Sequence, residues 1–168
     1  MKTLYLLRHA KSSWKDSSLR DFDRPLKGRG RDAAQRAGER LATEKLSELA
    51  VICSPAARTR ETADIVLRHS GLRLDVRLDV RLDERIYEAS LRDLLQVVAD
   101  IPDDKHTAMM IGHNPGFEEL LAFLTGEYRR MPTCALAKIK LNVASWKDVK
   151  AGEGSLELFF TPKEMPED

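Results

Sequence analysis

The chain lacks most of the features that would place it in a membrane, in an oxidising compartment or on nucleic acid. Its only cysteines are Cys53 and Cys134, far apart and outside any Cys-x-x-Cys pattern. A disulfide framework or thiolate zinc site is therefore not expected, and both read as reduced core thiols. Long apolar runs are missing too: after Lys2 only a few apolar residues precede Arg8 and His9, too few for a signal h-region or a membrane span. Neither sign of charge dominates, with 28 basic and 27 acidic residues, so overall charge favours neither nucleic acid nor an anionic membrane and any anion site must be local. Aromatics are only 6% of the chain and do not interleave with a basic stripe, which argues against a nucleic-acid partner. The 168 residues suffice for one substantial core. The expectation is a single cytoplasmic domain over 1–168, with a loose tail from about 162 to 168.

What is present is an alternation of strand-like and helix-like segments. Leu4 to Leu7 is a short apolar run ending abruptly in Arg8-His9-Ala10-Lys11-Ser12, the pattern of a buried strand that delivers reactive side chains to a sheet edge. A polar loop follows to Arg24, with Trp14, Leu19 and Phe22 as anchors. A helix is predicted from about Gly30 to Glu44, with Ala33, Ala34, Ala37 and Leu41 as its apolar stripe and Gly38 as a weak point. Leu49 to Ser54 reads as a second buried strand, and Ser54-Pro55 as the cap of a helix running to about His69. From Leu72 to Asp83 apolar residues alternate strictly with arginine and aspartate, predicting a strand with one buried and one wet face. Within it Leu-Asp-Val-Arg occurs at 74–77 and again at 78–81, an even insertion that preserves which face is buried.

Ser90 is placed to cap a helix ending near Ile101-Pro102. Thr107 to Ile111 is a further buried strand, followed by Gly112-His113-Asn114-Pro115-Gly116 and a helix to about Thr125. Two last strands, Ala135 to Val143 and Ser155 to Thr161, are predicted as an antiparallel hairpin. Trp14 and Trp146 read as packing anchors. The pattern as a whole predicts a three-layer α/β/α sandwich with a largely parallel central sheet and antiparallel C-terminal strands.

In such sheets ligands sit beyond the carboxyl ends of the strands. Three strands end in chemistry there: in Arg8-His9, in Ser54-Pro55-Ala56-Ala57-Arg58, and in Gly112-His113-Asn114. Two histidines and two arginines converging on one edge make a cationic pocket suited to a dianion such as a phosphoryl group. No metal shell is suggested, because the histidines lack metal-ligand spacing and adjacent arginines repel a divalent cation. There is also no glycine-rich phosphate loop and no nucleophile elbow.

Three motifs, Leu7-Arg8-His9-Ala10-Lys11-Ser12, Ser54-Pro55-Ala56-Ala57-Arg58-Thr59-Arg60-Glu61-Thr62-Ala63 and Gly112-His113-Asn114-Pro115-Gly116, together with Arg24-Pro25-Leu26, carry a resemblance to a known family. The chain resembles the histidine phosphatase superfamily, which includes the cofactor-dependent phosphoglycerate mutases, and within it the small phosphohistidine phosphatases of the SixA type. The resemblance implies a phosphoglycerate mutase-like fold and a metal-independent phosphatase without cofactor. It implies in-line attack by His9 to give a phosphohistidine intermediate, with Arg8, Arg58 and His113 around the phosphoryl oxygens. Like charges near His9 would keep it neutral. Lys11, Ser12 and Asn114 are candidate substrate-binding residues. The acid that protonates the leaving group is Glu84 by its place after the alternating strand, with Glu88 as competitor and the absence of any single acid as a third case.

Departures from the mutase pattern at Ala10 and Lys15, and the lack of a covering insertion, favour phosphohistidine on a protein as substrate. A small sugar or nucleotide phosphate is the second reading, and a non-catalytic module that binds phosphorylated partners is the third. None of these readings places a membrane among the partners.

Overall fold

The computed structural model describes residues 1–72 and 77–162. The tail from 163 and most of the first Leu-Asp-Val-Arg copy lie outside the described residues, as does the start of the strand expected there.

Among the described residues six strands form one sheet: β1 (Lys2–Arg8), β2 (Glu48–Cys53), β3 (Arg77–Leu82), β4 (Thr107–Gly112), β5 (Leu136–Leu141) and β6 (Gly154–Phe160). Their spatial order is β3-β2-β4-β1-β5-β6, with β1 to β4 parallel, β5 antiparallel to β1 and β6 antiparallel to β5. The described residues also form four α-helices that cover the sheet: α1 (Gly28–Ala42), α2 (Ala57–His69), α3 (Leu91–Ala99) and α4 (Gly116–Thr125).

The layers follow from the period-two geometry of the strands. In β1, Leu4 and Leu6 point into a core with Met110, Phe117, Leu120 and Val97, under α3 and α4. Tyr5 and Leu7 point into the opposite core with Ala34, Ala37 and Val66, under α1 and α2. A strand covered on both faces must be apolar throughout, which is why β1, β2 and β4 read as unbroken hydrophobic runs. The three-layer α/β/α sandwich with an antiparallel C-terminal hairpin is thus the observed architecture.

Several local signals act as expected. Ser90 and Asp93 form a reciprocal capping box at the start of α3. Gly126 ends α4 in the left-handed conformation, φ 77°. Trp146 is fully buried and donates its indole N–H to the Lys105 carbonyl at 2.7 Å. Gly38, an apparent weak point of α1, is where α2 comes closest: a Cβ there would lie 2.6 Å from the Val66 carbonyl oxygen.

Two expectations need correction. The second helix starts at Ala57, not Pro55, and Ser54 is not its cap; the Ser54 carbonyl accepts from Thr59 Oγ1 at 2.8 Å, while its hydroxyl faces His113. The alternating strand does not bury its apolar face at Val80 and Leu82, which are 48% and 53% exposed. β3 is an edge strand, and α2 reaches only its near side, leaving a shallow groove of about 220 Å³ between Leu67 and Ala63 on the helix and Val80 and Leu82 on the strand. No helix among the described residues is long and apolar enough to cross a membrane.

The chain after β1 packs against the start of α1. Lys27 N–H donates to the Lys11 carbonyl at 3.0 Å, and a Cβ on Gly30 would overlap that same carbonyl oxygen. Ala exceeds Gly in helix propensity by about 1 kcal/mol, yet the obstacle here is backbone and cannot rotate away. Gly30→Ala is therefore expected to destabilise by about 1–3 kcal/mol in urea unfolding and to lower turnover, by displacing the segment next to His9. An unchanged or raised midpoint would contradict this packing.

Candidate active site

The carboxyl ends of β1, β2 and β4 meet through backbone hydrogen bonds. His9 N–H donates to the Gly112 carbonyl at 3.0 Å, Ser54 N–H to the Ile111 carbonyl at 2.9 Å, and Cys134 N–H to the His9 carbonyl at 2.9 Å. Ala10 N–H donates to Thr62 Oγ1 at 3.0 Å, which ties the residue after His9 to α2. The three chemically rich strand ends are thereby fixed around one cleft of about 410 Å³.

Arg8, His9, Lys11, Ser12, Arg58, His113 and Asn114 all line this cleft. Arg24, Lys27, Trp14 and Thr133 complete its wall, and among the described residues no carboxylate does. Five basic side chains around one hollow, two of them ion-paired to Asp21, suit the cleft to an anionic ligand.

His9 is 7% exposed, and its Nδ1 lies 2.7 Å from the Ala10 carbonyl oxygen. A carbonyl only accepts, so Nδ1 carries the proton and Nε2 is left with its lone pair. Burial lowers the His9 pKa to about 4, with Arg58, Arg8 and Arg24 adding to the effect and the Ala10 hydrogen bond opposing it. Desolvation thus outweighs the like charges that the sequence suggested as the cause.

His113 is 9% exposed, its ring centroid 5.3 Å from that of His9. Burial, then His9 and Arg58, lower its pKa to about 3. Its Nε2 is 2.7 Å from Ser54 Oγ, and its Nδ1 is buried without a hydrogen-bond partner.

The arginines are positioned by contacts the sequence did not announce. Arg8 donates Nη1 to the Met131 carbonyl at 3.0 Å, and Asn114 donates Nδ2 to the same oxygen at 2.8 Å. Arg58 is held by Asp21, donating to its main-chain oxygen at 2.8 Å and to its carboxylate at 3.1 Å. Asp21 also accepts the Tyr87 hydroxyl at 2.7 Å, and that bond is the main cause of its lowered pKa. Arg24 is buried, donates to Ser12 Oγ at 2.7 Å, and lies with its guanidinium 3.3 Å from the Trp14 ring centroid. Trp14 is therefore not an interior anchor: it is 76% exposed and covers Arg24 at the mouth of the cleft.

Of the two candidate acids, Glu84 begins a short 3-10 turn, is exposed, and does not line the cleft. Glu88 lines a smaller adjoining pocket together with His113 and Asn114. The residues that sequence reasoning missed, Asp21, Tyr87 and the Ser54 hydroxyl, act over separations of 37, 66 and 59 residues, for which no local pattern exists.

The two buried imidazoles make the protein sensitive to acid. The unfolded chain takes up these protons near pH 6.5, whereas the folded protein does so only near 4 and 3. Unfolded protein binds more protons through that window, so stability is full above about pH 6.5 and falls as the pH drops towards 4. The His9 and His113 ring resonances are expected to keep neutral-imidazole shifts from about pH 8 to about 5 in an NMR titration. A His9 midpoint near 6.5 would show that the ring is not desolvated as described.

Residues 4–103 match the family model described as histidine phosphatase superfamily (branch 1). An uncharacterised protein of Mycobacterium tuberculosis is 31% identical over 168 residues, covering 94% of this chain and 100% of its own length. Among solved structures, a proposed phosphohistidine phosphatase SixA from Nakamurella multipartitia is 27% identical, with a TM-score of 0.82 over 96% of each chain. A second proposed phosphohistidine phosphatase SixA, from Agrobacterium tumefaciens, is 28% identical, with a TM-score of 0.79 over 96% of this chain and 99% of its own. The match takes in both the His9 strand end and the Arg58 helix, and the chain belongs to the histidine phosphatase superfamily.

Proposed function

We propose that the protein is a phosphatase that transfers a phosphoryl group to His9 Nε2 and then to water, with phosphohistidine on a protein as its substrate. The observation that carries this reading is a buried, neutral His9 whose Nδ1 is tied to the Ala10 carbonyl while the ring faces a cationic cleft free of carboxylates among the described residues. Arg8, Arg58 and His113 surround the transferred group; Lys11, Ser12 and Asn114 contact it or its carrier.

In the first step the Nε2–P bond forms as the bond from phosphorus to the leaving nitrogen or oxygen breaks, and that atom takes the electron pair and a proton. His9 keeps its Nδ1 proton, so the phosphorylated ring carries positive charge, which the Ala10 carbonyl stabilises. A positively charged ring is a good leaving group, and attack by water on phosphorus releases phosphate and returns the neutral imidazole. Arginine donors preorganised around the phosphoryl oxygens supply electrostatic stabilisation without reorganisation. A phosphoramidate needs little help to leave once its nitrogen is protonated. For esters we assign the proton to Glu88, which lines a pocket with His113 and Asn114, in preference to Glu84, which lines neither that pocket nor the cleft.

Two features support a protein-borne substrate. The rim carries the exposed Trp14 and the basic Lys27, and two solved structures above one-quarter identity are proposed phosphohistidine phosphatases. A small metabolite would favour a sequestered pocket.

Turnover of a phosphohistidine-bearing protein in EDTA is expected to fall by about 10³-fold or more in His9→Ala, with phosphate binding retained. Glu88→Gln is expected to leave phosphohistidine hydrolysis within about threefold while slowing an aryl phosphate of poorer leaving group by about tenfold or more. Undiminished turnover by His9→Ala would overturn the mechanism. A high kcat/KM on a sugar or nucleotide phosphate, with none on the phosphoprotein, would reverse the choice of substrate.

A further inference from the structure

The described part of the Leu-Asp-Val-Arg repeat, residues 77–81, does not line the catalytic cleft, and the second copy lies on the edge of the sheet. β3 pairs with β2 on one side and has no neighbouring strand on the other among the described residues. A long unpaired edge is normally protected by charge, proline or a bulge. Here Asp79 and Arg81 are exposed, and so are Val80 and Leu82 between and beside them. We propose that β3 is a homodimerisation edge, which pairs antiparallel with β3 of a second copy about a two-fold axis through Val80.

The direction of the backbone groups supports this register. Asp83 N–H donates to the Cys53 carbonyl of β2 at 2.9 Å, so residues 81 and 79 also direct their backbone groups towards β2. Residues 78, 80 and 82 then present N–H and C=O outward. With the axis at Val80, Val80 faces its own counterpart and Leu78 faces Leu82. These are the outward-directed positions, and they become the hydrogen-bonded pairs of an antiparallel ladder, each exchanging two bonds.

The side-chain pattern selects the same register. Asp79 falls opposite Arg81 of the second copy, and Arg81 opposite Asp79, in the closely spaced non-hydrogen-bonded pairs. Slipping the sum of paired positions by two would set Asp79 against Asp79 or Arg81 against Arg81, which is repulsive. An odd slip would put apolar residues opposite charges on the wrong face. A four-residue repeat of alternating sign therefore complements itself under two-fold symmetry, which is what an isologous interface requires. Partial exposure of Val80 and Leu82 beside the groove against α2 adds apolar area that a second copy would cover. The joined sheets would form one continuous sheet with the two clefts open, since no cleft residue lies on β3.

The test is sedimentation equilibrium of the full chain across about 1 to 200 µM, a range that brackets the affinity expected of a small strand-edge interface. Wild type is expected to show a concentration-dependent monomer–dimer equilibrium. Asp79→Arg and Arg81→Asp are each expected to weaken it by about tenfold or more, while the double exchange D79R/R81D restores it, because the reversed pattern again complements itself. Phosphatase turnover and the urea midpoint of each variant serve as folding checks and are expected to match wild type. A monomer at every concentration would overturn the proposal, as would a dimer indifferent to the single reversals or single variants that the exchange does not rescue.

Discussion

The site depends on one hydrogen bond, from His9 Nδ1 to the carbonyl of Ala10. It fixes the tautomer, turns Nε2 into a base without a proton, and opposes the pKa depression that burial imposes on the ring. A histidine buried this deeply beside Arg8, Arg24 and Arg58 would lose its charge in any case, chiefly through desolvation; the Ala10 carbonyl decides which nitrogen is left to react. In the proposed reaction the same carbonyl would also serve the second half, when the phosphorylated ring is cationic. Thr62 holds the Ala10 amide, and Gly30 of α1 packs on the carbonyl of the next residue, so two helices set the position of a single ring.

Around that ring the protein gathers positive charge that it only partly neutralises. Asp21 is the main exception, shared among Arg58, Arg24 and the Tyr87 hydroxyl. It orients Arg58 from outside the cleft wall, so the guanidinium is positioned but its charge still acts on the hollow. Buried guanidinium nitrogens on Arg8, Arg24 and Arg58 without a hydrogen-bond partner among the described residues mark donor capacity that an anion in the cleft is suited to use. Burial contributes in two ways: it strengthens each of these interactions and keeps both imidazoles neutral near pH 7.

Much of this was legible in the sequence because the fold rests on short-range patterns. Unbroken apolar runs gave β1, β2 and β4, the Ser90 signal gave α3, and the strand ends gave His9, Arg58 and His113 by a topological rule for parallel sheets. What escaped was either long-range or set by an edge. Asp21 and Tyr87 meet across 66 residues, so nothing local links them. Strict alternation around β3 predicts one buried face, but alternation fixes only which residues share a side; whether that side is covered depends on the layer above, and α2 leaves Val80 and Leu82 half open. Trp14 departs from the packing expected of it for a similar reason, since an aromatic ring can cover a buried cation from outside as readily as fill a core.

The central claim is that phosphorus is transferred to one particular nitrogen. Rapid acid-free quenching of the wild-type protein during turnover of a phosphohistidine-bearing substrate, followed by mass spectrometry and ³¹P NMR of the trapped protein, addresses it directly. The account predicts one phosphoryl group, on Nε2 of His9, formed and lost at rates compatible with turnover. Phosphate on Nδ1 of His9, phosphate on His113, or steady turnover with no phosphoenzyme at all would contradict it.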